Sequence, residues 1–215
     1  MQSAAKNWLL LIPLWVSCME QSEGTQIGEC SDEVDNDGDG AVDCDDEDCS
    51  NRPACTVDVV EYGDSNLCIN EFQASNATTI EEPVDGNGVP GFPDWIELYN
   101  LTEHAVELDG YSISDDLADP TKHVFANGME VPKGGFLLLW ADDDTEQGQD
   151  HLPFKLSKGG EELGLYNPAG EAITELEYAA QTTDWSAARF PDGEVDGWDI
   201  DTTPTPEKSN GDANQ

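Results

Sequence analysis

Asp94-Trp95-Ile96-Glu97-Leu98-Tyr99-Asn100 and, after a short gap, Leu108-Asp109-Gly110-Tyr111-Ser112-Ile113-Ser114-Asp115 decide the fold of this chain. The first stretch reads as a core strand. Trp95 or Ile96 packs inward with Leu98, and Asp94 and Glu97 are expected at its edge or in turns. In the second, Asp109-Gly110 punctuates two alternating segments, Val106/Leu108 before it and Tyr111/Ile113 after it. Working outward, residues 67–72, 95–99, 105–108, 111–114, 136–140, 162–166 and 172–178 all read as strands. Turn signals such as Lys133-Gly134-Gly135, Lys158-Gly159-Gly160 and Asn167-Pro168-Ala169-Gly170 separate them. No stretch sustains a 3.6-residue period. Many short strands with regular turns predict an all-β fold, an antiparallel β-sandwich or barrel.

The order of motifs adds a resemblance. Ile69-Asn70-Glu71-Phe72 precedes the two stretches above. Pro120-Thr121-Lys122, Val131-Pro132-Lys133-Gly134-Gly135-Phe136, Phe154-Lys155-Leu156-Ser157 and Gly159-Gly160-Glu161-Glu162-Leu163-Gly164-Leu165-Tyr166 follow them. Arg189-Phe190-Pro191-Asp192-Gly193 and Thr203-Pro204-Thr205-Pro206 stand near the end. Over about residues 66–211 the chain resembles a bacterial lamin-tail domain. The resemblance implies an immunoglobulin-like antiparallel β-sandwich. It implies no shared catalytic set, because that family is defined by its fold. Its bacterial members are accessory modules of secreted or surface proteins, sometimes beside nuclease or other hydrolase domains.

Upstream, residues 30–55 form an acidic, cysteine-rich tract with almost no apolar side chains. Hard cations need carboxylate oxygens from alternating positions and a glycine where the loop turns sharply. Counted as an EF-hand-type loop, Asp35 takes position 1, Asp37 position 3, Asp39 position 5 and Gly40 position 6. The carbonyl of Ala41 fills position 7, and Asp43 and Asp46 take positions 9 and 12. The spacing resembles the loops of thrombospondin type 3 repeats and Asp/Cys-rich modules of bacterial surface proteins. Calcium is the expected cofactor; a purely solvating acidic tract is the alternative. The module at residues 29–56 cannot build a core, so two disulfides and a metal are expected to replace one. Cys30, Cys44, Cys49 and Cys55 allow three pairings. Cys30–Cys49 with Cys44–Cys55 is preferred, because the first pair closes the ends of the acidic loop. Cys68 reads as a small buried hydrophobe in a strand.

The amino terminus predicts export. Lys6 precedes the apolar run Trp8-Leu9-Leu10-Leu11-Ile12-Pro13-Leu14-Trp15-Val16, which is shorter than the roughly 20 residues of a membrane span and fits a signal peptide at residues 1–17. Ser17-Cys18 then resembles a bacterial lipoprotein signal, and Cys18 is the expected lipidation site. A disulfide role for Cys18 is the alternative. Residues 18–28 read as a polar tether, 57–65 as a linker and 212–215 as a tail. The expected location is the outer membrane or cell surface, or, alternatively, solution outside the cell.

Asp and Glu total 47 against 8 Lys and Arg, a formal charge of −39. Nucleic acid is excluded as a partner, since that affinity rests on basic side chains against phosphates. Calcium and basic partners are attracted. His104, His123 and His151 are the three histidines, and each reads as a surface or strand-end residue. No His-Glu-x-x-His, Gly-x-Ser-x-Gly or Walker A pattern is present. Gly86-Asn87-Gly88-Val89-Pro90-Gly91 is read as an interstrand loop, because Pro90 and Pro93 block the helix a dinucleotide site needs. Asp115-Asp116 and Asp142-Asp143-Asp144 read as solvated loops, with a second cation site as the lesser alternative. Together these features predict a non-enzymatic, monomeric surface lipoprotein. It carries a binding module for an extracellular protein or polysaccharide on a calcium-stabilised spacer, and the membrane is reached only through its lipid. A secreted hydrolase or its accessory domain, and a structural envelope component, are the other readings.

Overall fold

The computed structural model describes residues 23–24, 26, 28–56, 58–61, 66–82 and 91–211. The signal-like run, Cys18 and most of the 86–91 loop lie outside the described residues. Thirteen strands follow one another: β1 (Asp58–Glu61), β2 (Leu67–Gln73), β3 (Asp94–Asn100), β4 (Val106–Glu107), β5 (Ser112–Ser114), β6 (His123–Val124), β7 (Glu130–Val131), β8 (Phe136–Ala141), β9 (His151–Leu152), β10 (Gly160–Tyr166), β11 (Ala172–Ala179), β12 (Ser186–Arg189) and β13 (Trp198–Asp201). One sheet runs β1-β11-β10-β5-β6 and the other β13-β12-β2-β3-β8-β9, with β4-β7 as a small separate pair. The pairing is antiparallel except between β8 and β9. The expected all-β sandwich is therefore the observed architecture.

The sequence dictates the layers. In β3, Ile96 and Leu98 point into the main core, where they meet Leu67, Ile69 and Phe72 of β2 and Leu139 of β8. Leu163 and Leu165 of β10 and Leu176 and Tyr178 of β11 come from the facing sheet. Phe72 is the hinge of this contact, with ring centroids 4.8 Å from Tyr178 and 5.6 Å from Trp198. Each such side chain stabilises the fold by about 1.5–3 kcal/mol on burial. Alternation sends Trp95, Leu138 and Trp140 to the opposite face of the six-stranded sheet. There they form a second apolar cluster under Ile80. The Trp95 indole N–H donates to Gln73 Oε1 at 3.0 Å.

Two expectations are corrected. The 57–65 stretch, expected as a linker, contributes β1, which pairs with β11 from Asp58↔Glu177 to Glu61↔Thr174. Glu97 does not lie at an edge or turn; it is 0% exposed in the middle of β3. Alternation does put it on the outer face, but residues 203–211 lie across that face, with the Glu207 N–H donating to Glu97 Oε2 at 2.6 Å. His151, read as a surface or strand-end residue, is the first residue of β9 and is buried there. Strands β6, β7, β9, β12 and β13 escaped the sequence reading because each is two to four residues long, too short to display a period.

Candidate functional site: acidic clusters around the sandwich

The amino-terminal module is built by its cysteines. Cys30–Cys49 and Cys44–Cys55 are disulfides, with Cα separations of 5.6 and 5.3 Å. Cys68 is buried in β2 and is joined to none of the other described cysteines. The turn between the acidic residues needs Gly38 and Gly40, whose φ values of 81° and 101° disfavour other residues. Asp35 fixes that turn by accepting the Gly38 N–H at 2.6 Å and the Gly40 N–H at 3.1 Å.

Asp35, Asp37 and Asp39 each offer an oxygen within 4.8 Å of the others, and so do Glu23, Asp37 and Asp46. The structure does not bring all the sequence-assigned ligands to one point. Asp43 turns its carboxylate to the N–H groups of Asp32 and Glu33. Ala41 enters the described hydrogen bonding through its N–H, which donates to Asp39 Oδ1 at 2.8 Å. Asp37 is the residue common to both groups. Glu23 was missed by sequence reasoning: it belongs to the stretch assigned as a polar tether, and no loop motif reaches that far upstream. It is 2% exposed and accepts the N–H groups of Asp43 (2.7 Å) and Asn36 (3.0 Å). Asp46 is 3% exposed. Its Oδ1 accepts the Asp48 N–H at 2.6 Å, while its buried Oδ2 has no hydrogen-bond partner among the described residues. A buried carboxylate oxygen without a donor is costly, and an all-oxygen set of this kind suits a hard cation.

The module rests against the sandwich. The Gly28 N–H donates to Asp199 Oδ2 at 3.0 Å, and the Arg52 guanidinium lies 3.9 Å from Asp199 Oδ1. Burial pushes the Asp199 carboxyl up, against the hydrogen bonds from Gly28 and Ile200 and the Arg52 charge. Trp185, 38% exposed, stands between two cavities at this junction, of about 320 and 310 Å³. Asn51, Gln181 and Thr182 line the first; Asp48, Arg52 and Thr202 line the second.

A second acidic group lies on the outer face of the six-stranded sheet. A bulge between Ile69 and Glu71 turns Asn70 and Glu71 outward together, and Glu71 pairs in register with Glu97. Both acids are 0% exposed. Glu71 Oε1 accepts the Ser186 hydroxyl at 2.5 Å, and Glu97 Oε1 accepts the Asn70 amide at 3.2 Å. Burial, reinforced for Glu71 by the charges of Glu97 and Asp201, pushes the Glu71 carboxyl up to about 8. Burial also raises Glu97 to about 8, aided by Asp192 and Glu207. Arg189, 0% exposed, donates to the carbonyls of Ile69, Glu194 and Val195 and stacks 4.6 Å over Trp198. The Ile-Asn-Glu-Phe, Asp-Trp-Ile-Glu-Leu and Arg-Phe-Pro-Asp-Gly stretches thus meet in one buried polar network that fastens residues 203–211.

Of the two aspartate loops, Asp115 pairs with Lys122, and Asp116 Oδ1 accepts the Ala118 N–H. Asp142 instead meets Glu82 and His151. None of the helices of the described residues is long and apolar enough to cross a membrane. Comparison with curated proteins returned no match. The family model for the Lamin Tail Domain matches residues 61–180, from the end of β1 past β11 and over more than half of the 215 residues. With its two-sheet architecture, this places the chain in the lamin tail domain family.

Proposed function

We propose that this chain is an exported surface lipoprotein whose lamin-tail sandwich is a non-enzymatic binding module, held out from the membrane on a calcium-braced, disulfide-linked acidic module. The observation that carries the reading is the Glu23–Asp37–Asp46 cluster, with Asp46 Oδ2 buried and unpartnered inside it. A Ca²⁺ ion supplies the missing partner and reverses the sign of the repulsion among these carboxylates. Because the same module contacts Asp199 on β13, calcium also stiffens the junction with the sandwich. The exposed Trp185 between its two cavities is where an extracellular ligand, protein or polysaccharide, finds an aromatic platform flanked by amide and hydroxyl groups.

Calorimetry on the oxidised mature chain tests the calcium part. Calcium is expected to bind at about 10⁻⁴ to 10⁻³ M, as extracellular modules do, and more tightly than magnesium. Asp46→Asn is expected to weaken binding at least about tenfold, and reduction of the disulfides to weaken it further by loosening the loop. Calcium binding equal in the parent and in Asp46→Asn contradicts this cage. Mass spectrometry of the mature amino terminus tests the export part. The expected species begins at an acylated Cys18. An unmodified terminus at another residue contradicts the lipid anchor.

A further inference from the structure

We propose that Glu82 and His151 form a second cation site, selective for a borderline transition metal such as Zn²⁺ and separate from the calcium module. Asp142 is its positioning residue. His151 lies in β9, whose parallel pairing with β8 sets it opposite Trp140. Its Nδ1 is 2.8 Å from Asp142 Oδ2, just beyond the end of β8. A carboxylate at that distance holds the proton on Nδ1 and leaves the lone pair on Nε2, the arrangement that orients metal-binding imidazoles.

Nε2 faces Glu82 Oε1 across 3.8 Å. That gap is too long for a hydrogen bond. It fits an ion placed between the two atoms, since zinc lies about 2.0–2.2 Å from imidazole nitrogen and carboxylate oxygen. The independent observation is Glu82 itself. It is 7% exposed, and its carboxylate accepts no hydrogen bond among the described residues; the His151 ring is the group it faces. Asp142, Asp144 and Asp150 surround it with like charge, against the pull of His151. A nearly buried carboxylate surrounded by like charge is a poor choice for stability alone; an ion against it removes the conflict. Gln147 Nε2 donates to Asp142 Oδ2 at 3.2 Å and steadies the positioning carboxylate. Imidazole selects zinc-like ions over Ca²⁺ and Mg²⁺, which take oxygen donors. With two protein ligands, the remaining positions of a bound ion are open to water or to a donor from another molecule.

The test is Zn²⁺ calorimetry on the full mature chain with the calcium module saturated by Ca²⁺, beside thermal melts in chelator. One Zn²⁺ site is expected. Its affinity should fall at least tenfold in both His151→Ala and Glu82→Gln and stay unchanged in Asp46→Asn. In chelator, Glu82→Gln should melt at or above the parent, since it removes a carboxylate that accepts no hydrogen bond among the described residues and faces several like charges. A ¹⁵N spectrum should show the His151 Nε2 resonance moving on Zn²⁺ addition while Nδ1 keeps its proton. Zn²⁺ binding that is absent at millimolar ion, or equal in the parent and both variants, overturns the proposal. So does a chelator melt of Glu82→Gln well below the parent, which would make Glu82 a structural partner of His151.

Discussion

Trp95→Ala is expected to lower stability by about 3–5 kcal/mol, the range for removing a buried large aromatic, and to lower the melting temperature by about 6–20 °C for a domain of this size. Trp95 is 0% exposed and packs with Leu138, Trp140 and Ile80 on the outer face of β3. Its truncation opens a cavity between β3 and β8 that the paired backbones cannot close, because Trp95 is in register with Trp140. It also strands Gln73 Oε1, the acceptor of its indole N–H. Trp95→Phe keeps most of the packing and loses that hydrogen bond, so a smaller loss is expected, about 1–3 kcal/mol. Denaturant titration of both variants measures the difference. A loss below about 1 kcal/mol in Trp95→Ala contradicts the two-cluster core.

A second large effect is expected with pH. Glu71 and Glu97 titrate near 8 in the folded chain against an ordinary value of 4.5. Between those values the folded state holds protons that the unfolded state has released, so stability falls as pH rises. The contribution of the neutral acids is intact below about 4.5 and gone once pH passes about 8. One pKa unit corresponds to about 1.4 kcal/mol, so the pair is expected to take several kcal/mol out of the fold between pH 5 and 9. Glu71→Gln is the diagnostic variant. The Thr205 hydroxyl donates to Asn210 Oδ1 at 2.7 Å and lies 3.4 Å from Glu71 Oε2, so it can accept from a glutamine amide placed there. Ser186 still donates to the remaining oxygen, as it does to Oε1 now. The variant is expected to match the parent near pH 5 and to exceed it by about 1–3 kcal/mol near pH 9. Parallel stability curves from pH 5 to 9 would contradict the burial of a neutral acid at this position.

Much of the fold was legible because it rests on local alternation. Val106/Leu108 and Leu163/Leu165 announce strands whose inward faces the structure confirms. Glu97 shows where that logic stops. Its neighbours Ile96 and Leu98 reveal the core face, but nothing within a few residues says that the opposite face is also covered. The covering segment, residues 203–211, lies more than a hundred positions away and arrives through Glu207 and Thr205. The same holds for the cation clusters. The Asp35, Asp37 and Asp39 spacing is a local signal and appears as a local cluster. Glu23 and the Glu82–Asp142–His151 group are assembled by tertiary contact, across 13 residues from Asn36 to Glu23 and across the sheet edge for His151. The disulfide pairing was legible because a ring closed around the acidic loop is the pairing that holds its ends together, and Cys30–Cys49 does so.

Closure of the amino-terminal module around calcium is read by amide hydrogen exchange on the oxidised mature chain. Millimolar Ca²⁺ is expected to slow exchange at Gly38, Gly40, Ala41 and Asp43, whose N–H groups donate to Asp35, Asp39 and Glu23. The amides of β3 and β8 should stay as they are, and Asp46→Asn should abolish the protection. Exchange across residues 28–56 that is the same with and without calcium would leave a disulfide-linked acidic spacer and contradict the calcium-braced module.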